Sequence, residues 1–234
     1  MSSADNAEFY REQHKRRLSW MPWLYYRLKP KHLVWAQPWQ EAVQKMLSAL
    51  ETVTFGERCF IAPEAAIFAE PNRGIHFGQQ CFVAANCFLH GPIEIGNEVA
   101  INHGCSFDGG KAGIKIGNRT RIANHCKIYA FDHGMAPDQP IYQQANRSQG
   151  VVIGDDVWLG AGVGIRDGIN IGDGAVIGMN SMVTKDVPSY AIMVGNPAKQ
   201  VGDRRTKPSG YIAEITQLPI ESITATQHSN NKDD

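Results

Sequence analysis

The sequence predicts an all-β solenoid of about six coils behind a partly helical cap, and three observations carry that prediction. First, an apolar residue recurs at every sixth position. The series runs Phe55, Ile61, Ile67; Phe77, Val83, Leu89, Ile95, Ile101, Phe107; Ile116, Ile122, Ile128; and Ile153, Leu159, Ile165, Ile171, Ile177, Val183. Second, glycine often comes next, as in Ile116-Gly117 and Ile153-Gly154. Third, the fourth residue after twelve of these eighteen is small: Cys59, Ala65, Cys81, Cys87, Val99, Cys105, Thr120, Cys126, Val157, Val163, Ala175 and Ser181. An amphipathic helix repeats at i, i+3, i+4 and i+7, and a half-buried strand alternates. A period of six is neither. It fits a short strand plus a turn, with three such units closing a triangular coil and coils stacking about 4.8 Å apart. The 18 apolar positions then make a prism roughly 29 Å tall. The rhythm slips only after Ile67, Phe107 and Ile128.

In chain order, residues 1–51 come first and carry no repeat. The stretch SWMPWLYYRLKPKHLVWAQPW is aromatic-rich, and Pro22, Pro30 and Pro38 are expected to break any long helix. Pro38 suits the first turn of a helix through Leu50, with Trp39, Val43, Met46, Leu47 and Leu50 as its apolar face. A solenoid end exposes strand edges and core, so the expected role of 1–51 is to cap it. A weak contact with a membrane surface or a lipid-linked sugar is the alternative for this segment, since aromatic and basic residues favour interfaces. Residues 52–201 are the repeat domain, interrupted by a loop over 132–150 where insertion at a corner can serve binding. Residues 202–234 form an extension ending in ITATQHSNNKDD, a disordered-tail composition.

In each repeat the apolar residue points inward, and glycine after it suits either close backbone approach or positive φ. All five cysteines, Cys59, Cys81, Cys87, Cys105 and Cys126, occupy the small inward position, and no CxxC occurs. They are therefore expected to be free thiols packed in the core rather than metal ligands. Lys plus Arg and Asp plus Glu both total 23, which gives no support to a nucleic-acid partner. The first residues hold no apolar core of signal-peptide length, and no run approaches the ~18 apolar residues of a membrane span, so the expectation is a cytoplasmic protein. No GxGxxG follows a strand and no GxxxxGK[ST] occurs, so the usual nucleotide-binding modules are missing.

The [LIV]-G-x-x-x-x units resemble the hexapeptide-repeat acyltransferases. Val151 to Val201, with its IGDDVWLG and GNPAK signatures, resembles the sugar O-acetyltransferase and antibiotic acetyltransferase branch. That resemblance, which covers about residues 55–201, implies a left-handed parallel β-helix, acetyl-CoA as co-substrate, no metal, and a homotrimer with sites between subunits. Acyl transfer to a hydroxyl needs a general base near neutral pKa and a donor for the oxyanion. Among eight histidines, His133 alone sits where the coil opens into the long loop, the place of the family's catalytic base. Asn102 falls where sugar acetyltransferases carry an Asn that contacts the acceptor, and Asp108 lies near a family Asp of similar role, offset by one or two residues. Trp158 resembles the Trp lining the coenzyme A channel. Gly160, Ala161, Gly178, Met179, Thr184 and Lys185 follow the same groove, with Met179 departing from the small residue of many relatives. Lys185 and Lys199 are candidates for the coenzyme's phosphates, and Arg147 for an anionic acceptor. His90 reads as a corner residue, while His103 (i+2) and His125 (i+3) are expected to point to different sides.

The leading expectation is thus an O-acetyltransferase acting on a carbohydrate hydroxyl, such as a cell-surface polysaccharide precursor. Amino-sugar (nucleotide) N-acetylation and antibiotic acetylation stand as alternatives. A γ-carbonic-anhydrase-like metal enzyme lacks its HxxxxH, and a non-catalytic scaffold leaves His133, Trp158 and GNPAK without a role.

Overall fold

A computed structural model describes residues 3–208, and the unit considered below ends at Arg204. Eighteen short parallel strands make three walls of six coils, each strand two or three residues long. The first wall stacks Val53–Phe55, Ile75–Phe77, Ile93–Ile95, Ile114–Ile116, Val151–Ile153 and Asn170–Ile171. The second stacks Phe60–Ile61, Phe82–Val83, Ala100–Ile101, Arg121–Ile122, Trp158–Leu159 and Val176–Ile177. The third stacks Ala66–Phe68, Phe88–His90, Ser106–Asp108, Lys127–Tyr129, Gly164–Ile165 and Met182–Val183. Ala191–Val194 extends the second wall and turns back antiparallel as Lys199–Asp203.

The period-six residues form three continuous columns, one per wall, for instance Ile61, Val83, Ile101, Ile122, Leu159 and Ile177 in register. All are buried except Phe55 in the outermost coil, which is half-buried. Truncating one of them, such as Leu89→Ala, opens a cavity that close-packed neighbours fill only partly, a cost of about 2–5 kcal/mol. The small inward residues form two columns beside them. Each cysteine thiol donates to a carbonyl of the coil above, as in Cys126 Sγ to Gly160 O at 3.2 Å. Thr120 Oγ1 does the same to Gly154 O at 3.0 Å, while Ala65, Val99, Val157, Val163 and Ala175 hold the position with no donor, so small size rather than sulfur chemistry is what it uses. All five thiols are free and buried.

Positive φ falls on the third residue after the apolar one, as at Arg58, Gln80, Glu98, Arg119, His125 and Asp156. The glycine after the apolar residue therefore answers the other need, close approach. A Cβ on Gly117 would sit 2.5 Å from Gly154 C and 2.5 Å from Asp155 Oδ1.

The amino-terminal helix α1 spans Ser3–Trp20, a 3-10 turn follows over Pro22–Arg27, and helix α2 spans Pro30–Leu50. This corrects the expectation that Pro30 and Pro38 break the chain. Pro30 is the first residue of α2, and Pro38 lies inside it. An interior proline costs ~3 kcal/mol, and packing on both sides of Pro38 offsets that: Ala36 is fully buried, and Trp39 lies 5.8 Å ring to ring from Phe60. The face also differs from expectation, since Met46 and Leu50 are exposed. Trp39, Val43 and Leu47 do pack against the core as expected, and between them α2 turns two amides to the solenoid. Gln40 Nε2 donates to Ile61 O (3.1 Å) while its Oε1 accepts from Ile61 N (2.8 Å), and Gln44 Nε2 donates to Cys59 O (2.8 Å). These amides satisfy the backbone edge of the first coil as a neighbouring strand would.

Candidate functional site

All three slips of the repeat fall at one corner, between the third and first walls, where a longer connection leaves the columns in register. The longest connection leaves Lys127–Tyr129 and returns at Val151–Ile153. It begins as a small antiparallel pair, Asp132–His133 against Asn146–Arg147. Polar groups fix this arm at both ends. At its foot the buried carboxylate of Asp167 accepts from Gln149 N at 2.8 Å and from Gly150 N at 2.9 Å. Ser148 Oγ accepts from Lys111 N and Ala112 N and donates to Ala130 O. At its tip the Gln144 amide closes both ways on the backbone of Ala136.

His133 stands exposed on this fixed arm with neither ring nitrogen hydrogen-bonded, its ring edge-on to Phe131 at 6.2 Å. The adjacent Asp132 turns to Arg166 (3.3 Å) and does not orient the imidazole. Arg147 is exposed opposite Asp132 in the arm.

Trp158 projects from the second wall, 53% exposed, in register between Arg121 and Val176. Gly160, Ala161, Gly178 and Met179 lie at the corner between the second and third walls, with Met179 exposed. Coil stacking alone accounts for Gly160, because a Cβ there would lie 2.7 Å from Met179 N. Thr184 is half-buried beyond the third wall's last strand. Lys185 and Lys199 are exposed, and among the described residues neither forms an ion pair. In a triangular prism the third-to-first corner lies opposite the second wall. His133 is only four residues past Tyr129, a reach of at most about 14 Å. Among the described residues no contact joins His133 to Trp158.

Asn102 follows the second-wall strand Ala100–Ile101 and donates from Nδ2 to Ile122 O at 2.9 Å. It lines a cavity of ≈ 450 Å³ together with Trp23, Tyr26, Arg27, Gln80, Phe82, Glu98, Ala100 and Arg121. Asp108 is on the third wall, separate from Asn102, and is already engaged: Oδ1 accepts from Gly110 N, and Oδ2 pairs with His90 Nδ1 at 3.1 Å.

Two histidine readings are corrected here. His90 is a strand residue clamped between carboxylates, with Nε2 3.0 Å from Glu70 Oε1. Burial lowers its affinity for a proton, but the bonds and charges of Glu70 and Asp108 outweigh that and raise its pKa above the ordinary histidine value. The signal was available, since His90 and Asp108 hold the same repeat position in adjacent coils. His103 and His125 meet at one corner, ring centroids 5.1 Å apart, because His125 takes φ +61° and its N–H donates to His103 O. Trp20 covers His103 at 5.3 Å, and burial together with the His125 charge holds the His103 pKa below the usual range. No group of three His, Cys, Asp or Glu among the described residues is placed to hold a metal. No helix among them is long and apolar enough to cross a membrane.

Residues 150–185 match the family described as hexapeptide repeat of succinyl-transferase. The chain is 31% identical over 164 residues to a probable acetyltransferase, Rv3034c, of Mycobacterium tuberculosis, covering 70% of this chain and 53% of that protein. It is also 31% identical over 152 residues to the putative lipopolysaccharide biosynthesis O-acetyl transferase WbbJ of Escherichia coli K12, covering 60% of this chain and 74% of the relative. The fold resembles that of AntD, an N-acyltransferase from Bacillus cereus solved with dTDP and 3-hydroxybutyryl-CoA. That likeness has a TM-score of 0.61 at 24% identity, over 69% of this chain and 88% of the other. The chain spans about half the length of several curated relatives it matches.

Proposed function

The chain belongs to the hexapeptide-repeat acyltransferase family, and on that premise we propose that it transfers an acetyl group from acetyl-CoA to a hydroxyl of a carbohydrate. The observation that carries the reading is His133, an exposed imidazole with free ring nitrogens on an arm whose backbone is pinned by Asp167, Ser148 and Gln144. A hydroxyl at neutral pH cannot attack a thioester until its proton is taken, and imidazole is the side chain that does this near pH 7. His133 accepts that proton as the hydroxyl oxygen bonds to the thioester carbonyl. It returns the proton to the departing thiolate as the C–S bond breaks, so the imidazole ends as it began.

The opposed placement of His133 and Trp158 supports a site built from two copies, with the base of one chain meeting the Trp158 groove of the next in a trimer. In this arrangement Gly160, Ala161, Gly178, Met179 and Thr184 line the pantetheine path, and Lys185 and Lys199 stand free for phosphates. Asn102 addresses the acceptor. Asp108 is the weaker candidate, because His90 already occupies it. Similarity to the putative lipopolysaccharide biosynthesis O-acetyl transferase of Escherichia coli supports a carbohydrate acceptor.

The test measures thiol release from acetyl-CoA across saccharides, amino sugars and sugar nucleotides, with light scattering for mass. The reading requires a trimer that releases thiol with a hydroxyl acceptor, and His133→Ala that lowers kcat about 10²–10⁴-fold while the trimer persists. Unchanged turnover in His133→Ala removes the base assignment, and turnover with amino sugars alone moves the acceptor to an amine.

A further inference from the structure

We infer that the cavity between the 3-10 turn Pro22–Arg27 and the second wall binds an anionic saccharide, one carrying a phosphate or a carboxylate. This rests on the acyltransferase reading and supplies its acceptor class. The cavity, ≈ 450 Å³, falls in the range of small-molecule sites. Its composition is specific. Arg27 and Arg121 both line it, and among the described residues neither pairs with a carboxylate. Arg121 instead donates to the backbone oxygens of Glu98 and Thr120, which holds its guanidinium in place without neutralising it. The two guanidinium groups outnumber the one carboxylate of the lining, Glu98, which leaves the surface net positive, and a planar fork of N–H donors suits phosphate and carboxylate oxygens.

The remaining lining addresses the sugar. Trp23, 41% exposed, offers an aromatic face, while Gln80, Glu98 and Asn102 present amide and carboxylate groups for hydroxyls. The floor is apolar, with Ala100 buried and Phe82 under Tyr26 at 6.5 Å. Tyr26 is itself anchored through its hydroxyl to Cys81 O at 2.9 Å, so the turn that brings Trp23 and Arg27 is fixed to the coil. Arg121 is also the direct strand neighbour of Trp158. A saccharide held by its anionic group at Arg27 and Arg121 therefore lies one coil below the Trp158 position, with Asn102 beside it.

The experiment is calorimetric titration of the full chain with glucose 1-phosphate, glucuronic acid and glucose, alongside thermal shifts with acetyl-CoA. The expected result is binding of at least one charged sugar ten-fold or more tighter than glucose, with the phosphate and uronate arms showing which anion is preferred. Arg27→Ala should weaken that binding ten-fold or more yet keep the acetyl-CoA shift. Arg27 is the variant of choice because its side chain makes no hydrogen bond or ion pair among the described residues, and Trp23→Ala should weaken charged and neutral sugars alike. Equal binding of glucose and the charged sugars, absence of binding by all three, or full affinity in Arg27→Ala would each overturn the inference. An acetyl-CoA shift in a protein that ignores charged sugars leaves the acyltransferase reading standing and removes this one. Arg27-dependent sugar binding without an acetyl-CoA shift does the reverse.

Discussion

Gln40→Leu should cost the fold far more than an ordinary polar-to-apolar change on a helix. Gln40 is 1% exposed, and both ends of its amide are spent on Ile61, which is itself fully buried. Leucine is close in size but leaves the Ile61 N–H and C=O with no partner, at the edge of the coil and away from water. A buried, unsatisfied backbone group costs about 1–3 kcal/mol, so two predict about 2–5 kcal/mol after the gain from an apolar side chain. For a chain of this size each kcal/mol moves the midpoint by about 2–4 °C, giving a fall of roughly 4–20 °C. Gln44→Leu is the internal control. It removes one bond, to Cys59 O, from a half-buried position, and should cost about half as much. The assay is circular dichroism followed through the helical and β signals during heating, at one protein concentration because assembly shifts the midpoint. A fall under about 2 °C, or equal falls for the two variants, refutes the strand-mimic account of α2. So does loss of the helical signal alone while the β transition stays in place.

Three further outcomes follow from the same geometry. Asp167→Ala frees Gln149 N and Gly150 N at the foot of the arm, and should lower kcat about ten-fold or more while leaving the apparent affinity for acetyl-CoA unchanged, since misplaced groups cost rate before binding; steady-state kinetics decides. His90 has a raised pKa and so contributes stability below pH 6.5 that is lost as pH rises through its folded value. Wild type should therefore lose stability relative to His90→Gln as pH rises above 6.5 in urea titrations, and parallel curves would show that the Glu70–His90–Asp108 clamp does nothing. The five buried thiols should resist Ellman's reagent in the native protein and all react in guanidinium; rapid native labelling would contradict the packed columns.

The fold was legible because the solenoid's information is one-dimensional. Each repeat states its own inward residue, and the slips after Ile67, Phe107 and Ile128 all follow a whole number of three-unit coils, which places them at one corner. What escaped was whatever depends on contacts between units or outside them. His103 and His125 looked divergent because each was judged within its own repeat, whereas φ +61° at His125 and the stacking of successive corners bring the rings together. His90 became informative only through its register with Asp108 and the approach of Glu70. The amino-terminal segment has no period at all, and the price of Pro38 inside α2 is met by Ala36 and Trp39 packing around Phe60, a term that local propensity does not contain. His133 is a candidate by its position, where the coil opens, and not by its chemical neighbours.

The unperiodic segment does two jobs with one set of contacts, and this makes its effects separable from those of the arm. Helix α2 supplies Gln40 and Gln44 to the edge of the first coil, while the 3-10 turn before it supplies Trp23, Tyr26 and Arg27 to the second-wall cavity. Tyr26 ties that turn to Cys81, a residue of the next coil. Changes that unseat the segment must then lower stability and acceptor binding together, because the surface that recognises the saccharide forms only when the coil edge is sealed. On the proposed mechanism, a change at the exposed His133 of the arm acts on proton transfer and leaves both untouched. A Gln40→Leu protein that melts early yet binds glucose 1-phosphate as wild type does, at a temperature where it is folded, places the cavity on the coil alone. A protein that loses both places it on the junction of cap and coil, as the lining residues require.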